Sequence, residues 1–296
     1  MESQTSSAGT KNSSQNQIKD SNLSGDPGYF YDPHVVAGQS GEIKLTPGIE
    51  ARCRCGGRPP YLAFDSPEAE PTWCVCRPYR SKIRHINRLI RESGIPTRFQ
   101  YKYVNDLLEI DPAGRPIPGV NLLKGRVSTL VDRYSERRRL KDGPPSPARG
   151  LFLWGAPGNG KTLLACIALN ELMFNCALPG KFIGLSRKFF QTLRHTFDES
   201  SPTRGQAIPI LETLSSVPFL VIDDLGVQRD TDWEVEMLYN LVDARYTEHL
   251  LTFITTNKNV EDLKGLAGGR IYSRFLEMCY IIHVQSPDYR QHAQKF

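Results

Sequence analysis

From residue 150 the chain alternates short apolar runs with amphipathic stretches. Leu151-Phe152-Leu153-Trp154, residues 181–185, 218–222, 251–255 and 280–284 read as strands. Residues 161–177, a stretch carrying Phe189, Phe190, Leu193 and Phe197, residues 206–214 and residues 233–246 read as helices. In the last of these, Met237, Leu238, Leu241 and Val242 share the inward face. Strands that are apolar throughout, alternating with helices, predict an α/β fold with a parallel sheet covered on both faces.

Upstream the pattern is looser. Residues 1–28 hold seven Ser, three Asn and three Gln, and read as a disordered tail. Residues 29–93 are expected to form a small cysteine-rich module ending in a basic helix over 81–93. That helix places Ile83, Ile86, Leu89 and Ile90 on one face, and Gly94 and Pro96 stop it. Residues 94–149 read as a basic linker and helix, helical over 120–140 and closed by Gly143-Pro144-Pro145-Ser146-Pro147. Residues 150–296 complete the division.

Charge sharpens the picture more than composition does. The net charge is +5, yet residues 1–150 carry 23 Lys and Arg against 16 Asp and Glu, while residues 151–296 carry 14 against 16. Between Arg77 and Lys141 the ratio is 16 to 6. Such asymmetry points to a polyanion partner, the other reading being a solvated Arg-rich surface. Hydrophobic residues make up 39% of the chain, enough for a sizeable core. No apolar run approaches the roughly 18 residues of a membrane span. The opening Met1-Glu2-Ser3-Gln4 starts no signal peptide, so the expected location is cytoplasmic, with no membrane partner.

Gly155-Ala156-Pro157-Gly158-Asn159-Gly160-Lys161-Thr162 matches the P-loop pattern between a predicted strand and helix. Glycines let backbone N–H groups curl around phosphates, and the helix N-terminus adds partial positive charge. Lys161 is expected on the β- and γ-phosphates of ATP, and the Thr162 hydroxyl on Mg²⁺. The metal's second partner is expected from a neighbouring strand, Phe219-Leu220-Val221-Ile222-Asp223-Asp224. There Asp223 would orient the Mg²⁺ shell and Asp224 would polarise the attacking water. Asn257, at the end of the strand Thr252-Phe253-Ile254-Thr255-Thr256, is placed to order that water.

Four of the seven cysteines form two close pairs, Cys53/Cys55 and Cys74/Cys76, separated by 18 residues. In a reducing compartment paired thiolates suit tetrahedral Zn²⁺, although the one-residue gap is narrower than usual. Free thiols and disulfides are the other readings. Cys166, Cys176 and Cys279 lie in apolar text and are expected in the core.

Residues 150–296 resemble the AAA+ ATPases of the DnaC/DnaI helicase-loader and IstB group. The likeness rests on the P-loop, Val221-Ile222-Asp223-Asp224-Leu225-Gly226, Ala244-Arg245-Tyr246, Thr255-Thr256-Asn257, Arg270-Ile271-Tyr272-Ser273-Arg274 and Ser286-Pro287-Asp288-Tyr289-Arg290. Gly94-Ile95-Pro96-Thr97-Arg98-Phe99 also looks like that group's approach to the ATPase domain. The resemblance implies sensor-1 for Asn257, an arginine finger reaching a neighbouring subunit for Arg274, and sensor-2 for Arg290. Only 39 residues follow Asn257, which implies a reduced C-terminal lid. Asp224 stands where many AAA+ proteins place Glu, so slower hydrolysis is implied.

The segment from 186 to 214 occupies the place of a DNA-touching insertion, with Arg187, Lys188 and Arg194 as candidate phosphate contacts. The group implies a homo-oligomeric helicase loader that binds single-stranded DNA and engages a replicative DNA helicase through a zinc module. The alternatives are an IstB-like transposition ATPase on duplex DNA and a nucleotide-binding scaffold with little turnover.

Overall fold

The computed structural model describes residues 35–37, 43–64, 66–110, 114–117, 119–140, 149–185, 187–195, 205, 207–226 and 231–285. The expected tail, the 143–147 linker and Arg290 lie outside the described residues. So do the side chains of Arg187 and Lys188.

Nine strands and eight α-helices stand among the described residues. β1 (Val35–Ala37) and β2 (Ile43–Leu45) pair antiparallel, as do β3 (Leu62–Ala63) and β4 (Thr72–Trp73). Helix α1 (Pro47–Ala51) lies between the hairpins and α2 (Arg77–Glu92) follows them. Then come α3 (Val120–Leu140), β5 (Gly150–Trp154), α4 (Lys161–Cys176), β6 (Gly180–Gly184), α5 (Arg187–His195) and α6 (Ala207–Ser216). β7 (Phe219–Asp223), α7 (Asp232–Thr247), β8 (Leu251–Thr256), α8 (Arg270–Met278) and β9 (Cys279–His283) finish the order.

Five strands form one parallel sheet in the order β6-β7-β8-β5-β9. This corrects one expectation. The Asp223 strand β7 is not beside the P-loop strand β5, because β8 lies between them. The apolar pattern cannot reveal strand order, since every inner strand is buried on both faces. Alternate residues divide the core accordingly. Leu151, Leu153, Phe219, Val221, Leu251 and Phe253 pack with α4 on one face. Phe152, Leu220, Ile222 and Ile254 pack with α7 and α8 on the other. α8 is the only α-helix between β8 and β9.

Basic helices α2 and α3 do not stand apart. Ile86, Leu89, Ile90, Val120, Leu123, Val127 and Leu130 join the same core cluster as Leu164 and Ile167 of α4. The connecting segment is fastened as well. Buried Asn170 on α4 donates to the Phe99 and Lys102 carbonyls at 2.8 and 2.9 Å. Gly94, with φ +82°, lets the end of α2 meet sheet-edge strand β6, where Phe182 N–H donates to the Ser93 carbonyl at 2.7 Å. A Cβ on Gly94 would sit 2.8 Å from the Phe182 carbonyl oxygen.

Candidate functional site

The P-loop joins β5 to α4 at the C-terminal end of the sheet, where open α/β folds bind ligands. Gly155, Gly158 and Gly160 have φ of +141°, +85° and +90°, a region that costs most side chains energy. At Gly155 a Cβ would also collide with the Val284 carbonyl at 2.6 Å. Asn159 donates from Nδ2 to that carbonyl, tying the loop to the end of β9. Lys161 is buried, and its Nζ donates to the Gly155 and Ala156 carbonyls at 2.9 and 2.7 Å and to Asn159 Oδ1 at 3.0 Å. A concentrated positive charge therefore sits against the loop's own oxygens, at the start of α4. Pro157 is on the exposed turn of the loop.

Asp223 ends β7 and is almost fully buried. Burial pushes its pKa up, while hydrogen bonds from Thr255 and Thr162 and the charge of Lys161 oppose the rise. The Thr162 bond places the loop hydroxyl and the Asp223 carboxylate together, as a shared Mg²⁺ site requires, although β8 separates their strands. Thr255 on β8 is the bridge. Its hydroxyl donates to Asp223 Oδ1 at 2.6 Å and accepts from Asp224 N–H at 3.0 Å. Thr255 is wholly buried, so its hydroxyl must find such partners. The sequence motif contained Thr255, but only Asn257 received a role from it. Two threonines at the end of a buried strand were the available signal.

Asp224 adopts φ +59°, a conformation that Asp tolerates better than larger side chains. Its Oδ1 accepts from Asn257 Nδ2 at 3.2 Å. The two residues expected to handle the water therefore meet just past the ends of adjacent strands, beside the Thr162–Asp223 pair.

Arg274 lies on α8 and faces α7. Its Nε donates to Asp243 Oδ1 at 2.7 Å, and its Nη2 to the Tyr239 hydroxyl at 3.1 Å. Burial lowers its pKa, but Asp243 outweighs burial and leaves it raised. Arg245 is a different kind of arginine. It is wholly buried and donates to Thr252 Oγ1 and to the carbonyls of Leu214, Val217 and Leu251 at 2.8–3.0 Å. Burial pushes its pKa down to about 9. It staples α7 to β8 and to the end of α6. Arg194 is drawn to the start of α7, donating to Thr231 Oγ1 at 3.2 Å and lying 5.0 Å over the Trp233 ring. Phe190 is core, as are Cys166, Cys176 and Cys279.

In the N-terminal part of the chain the segments flanking the β3–β4 hairpin bring Cys53, Cys55, Cys74 and Cys76 together, with all four Sγ atoms within 4.8 Å of one another. Three of the separations are 3.6, 3.5 and 3.4 Å. These exceed the ~2.05 Å of a disulfide and approach the ~3.8 Å edge of a tetrahedron with 2.3 Å zinc–sulfur bonds. Arg54 N–H donates to Cys74 Sγ at 3.4 Å and Arg80 Nη2 to Cys53 Sγ at 4.0 Å. The donor set fits a tetrahedral metal ion.

Known proteins resemble this arrangement. The family described as "IstB-like ATP binding protein" matches residues 146–295. The replicative helicase loader DnaC of Escherichia coli (strain K12) is 34% identical over 122 residues, 40% of this chain and 47% of the relative. The chain thus spans about half the length of that relative. Phage-like element PBSX protein XkdC of Bacillus subtilis (strain 168) is 26% identical over 246 residues, 80% of this chain and 83% of the relative. The crystal structure of the DnaC helicase loader covers 64% of this chain and 100% of its own, with 24% identity and a TM-score of 0.50, and so shares the fold. The family match takes in the P-loop, the Asp223 strand and the Arg274 helix alike, and the chain belongs to the IstB-like ATP-binding proteins, AAA+ ATPases of the DnaC/IstB type.

Proposed function

We propose that the protein is an ATP-dependent helicase loader that oligomerises, binds single-stranded DNA and delivers a replicative helicase to it. The observation that carries the reading is the pairing of a P-loop ATPase end with a four-cysteine module in one chain. The likeness to DnaC supports it. An IstB-like transposition ATPase is the second reading, favoured by the family match.

In this account Lys161 and the loop amides bind the β- and γ-phosphates. Mg²⁺, when bound by Thr162 and Asp223, would neutralise phosphate charge in the transition state. Asp224 and Asn257 hold the attacking water, Asp224 taking its proton. Arg274 leaves Asp243 and reaches the γ-phosphate of a neighbouring subunit, which makes hydrolysis depend on assembly. Cys53, Cys55, Cys74 and Cys76 would hold Zn²⁺, which would give the module its shape. Phe64 and Trp73 are each 59% exposed on that module and form its helicase-facing surface.

A loading assay tests the reading. Transfer of a purified hexameric replicative helicase onto protein-coated circular single-stranded DNA is expected to require this protein and ATP. Lys161→Ala is expected to weaken nucleotide binding by ~100-fold or more, since it removes a charged partner of the phosphates. Helicase transfer that proceeds equally well without the protein would overturn the proposal.

A further inference from the structure

A groove of about 510 Å³ opens between α3 and the first residues of β5 and β9, at the opposite end of the sheet from the P-loop. Arg149 immediately precedes β5 and Gly155 immediately follows it, six residues on and about 20 Å away along the strand. Register pairs Leu151 with Tyr280, so the two side chains share the α3 face and form the groove's floor. β9 ends the sheet, which leaves this flank open among the described residues.

The lining combines arginines and tyrosines with apolar Leu122, Leu130 and Leu151. Arg126 and Arg133 are exposed along α3, Tyr134 borders them, and no carboxylate contributes to the wall. Tyr280 is 41% exposed, with the Arg149 guanidinium 4.6 Å over its ring. Arg149 Nη2 donates to the Leu276 carbonyl and, at 2.7 Å, to the Cys279 carbonyl, which fixes the guanidinium over the ring, while its shielded Nε has no acceptor among the described residues. Gly125 lies mid-helix on the wall, with nothing within 4 Å of where a Cβ would stand. A glycine there costs ~1 kcal/mol against alanine, and packing within the chain does not call for it. It leaves room for a ligand to approach the helix. Beyond the groove the same helix runs on into Arg137-Arg138-Arg139.

We infer that this groove binds single-stranded nucleic acid, with phosphates on Arg126 and Arg133 and a base stacked on Tyr280. A flat ring capped by a guanidinium is a sequence-tolerant base platform, and arginines in a row follow a phosphate backbone. An acidic protein segment would use the arginines but not the exposed ring face. The inference rests on the DNA-binding part of the proposed function and gives it a place, remote from the nucleotide.

Fluorescence anisotropy with a labelled dT20 oligonucleotide, over a salt series, tests it on the full chain. Arg126→Gln/Arg133→Gln is expected to weaken binding at least ~10-fold and to flatten the salt dependence by ~1.4 in log–log slope, about 0.7 per lost phosphate contact. Tyr280→Ser is expected to weaken binding ~5-fold or more with the salt slope unchanged, because stacking is lost and no charge is. Both variants should bind ATP as the wild type does. Wild-type affinity and slope in both variants would overturn the groove and leave the loader reading standing. Absence of dT20 binding by the wild type would overturn the DNA-binding reading itself. If the Arg pair weakens only capture of the replicative helicase, the occupant is an acidic protein segment and the inference is wrong.

Discussion

The nucleotide-binding end of the sheet and the cysteine module are built on opposite principles. The first rests on burial. Two core clusters flank the sheet, and the chemistry at its end is locked by Thr255, Thr162 and Asn159 through bonds that each join separate strands or loops. The second has a buried cluster of Leu45, Ile49, Tyr61, Ala63, Cys74 and Cys76, with two-residue and three-residue strands around it. A core that small offsets little of the ordering of its loops, and in the proposed function a metal on the four cysteines would supply the difference. Stability in one region is spread over many side chains. In the other it would be concentrated in four sulfur atoms.

That contrast breaks most sharply on metal removal. Structural zinc contributes ~10–16 kcal/mol in small modules. A strong chelator, or Cys74→Ser, is therefore expected to unfold the hairpins while ATP binding persists. Metal analysis of reduced protein, followed by limited proteolysis with and without chelator, reads this out. One zinc per chain is expected in the wild type.

The next largest effect lies at the other end. Arg274→Ala is expected to leave ATP affinity intact and lower assembly-dependent hydrolysis ~10³-fold, ~4 kcal/mol. Mixing it with Lys161→Ala should restore turnover, since each supplies what the other lacks at a shared interface. Steady-state ATPase measurements on the mixture decide between a finger in trans and an arginine that serves only Asp243.

Core truncation tests the distributed half of the contrast. Phe253→Ala, wholly buried on the α4 face, is expected to cost ~3–5 kcal/mol by denaturant unfolding and to leave metal content unchanged. The smallest effect on stability concerns Asp223. Burial raises its pKa in the fold, so the stability it contributes is present below its unfolded value near 3.9 and lost as pH rises through the folded value. Asp223→Asn is therefore expected to raise the melting temperature slightly at pH 7, with the difference fading below about pH 4, while abolishing Mg²⁺-dependent hydrolysis.

Much of the ATPase end was legible in the sequence because its signals are local. A P-loop is contiguous, and the strand ending in Asp223-Asp224 announces itself by its apolar run. Partnership across the sheet was not legible. Placing β8 between β5 and β7 depends on long-range pairing that no local pattern encodes, so the bridging role of Thr255 went unread. The packing of the basic helices was legible only in part. The 81–93 helix showed its apolar face in the sequence but not its partner, and the apolar faces of α2 and α3, with Ile86 and Val127 fully covered, share one core with α4. Charge describes the outside of a helix and says little about its inside. The cysteine pairs were read from spacing alone, and the β3–β4 hairpin between them was too short to leave a period.

The central claim is that an ATPase end and a metal-clipped module serve one task, helicase delivery. The most direct measurement is retention of a purified replicative helicase and, separately, of a purified IS21-type transposase on the immobilised full chain with ATP. The helicase is expected to be retained, with loss on Trp73→Ala/Phe64→Ala or on zinc removal, and the transposase to pass through. Retention of the transposase without the helicase would contradict it.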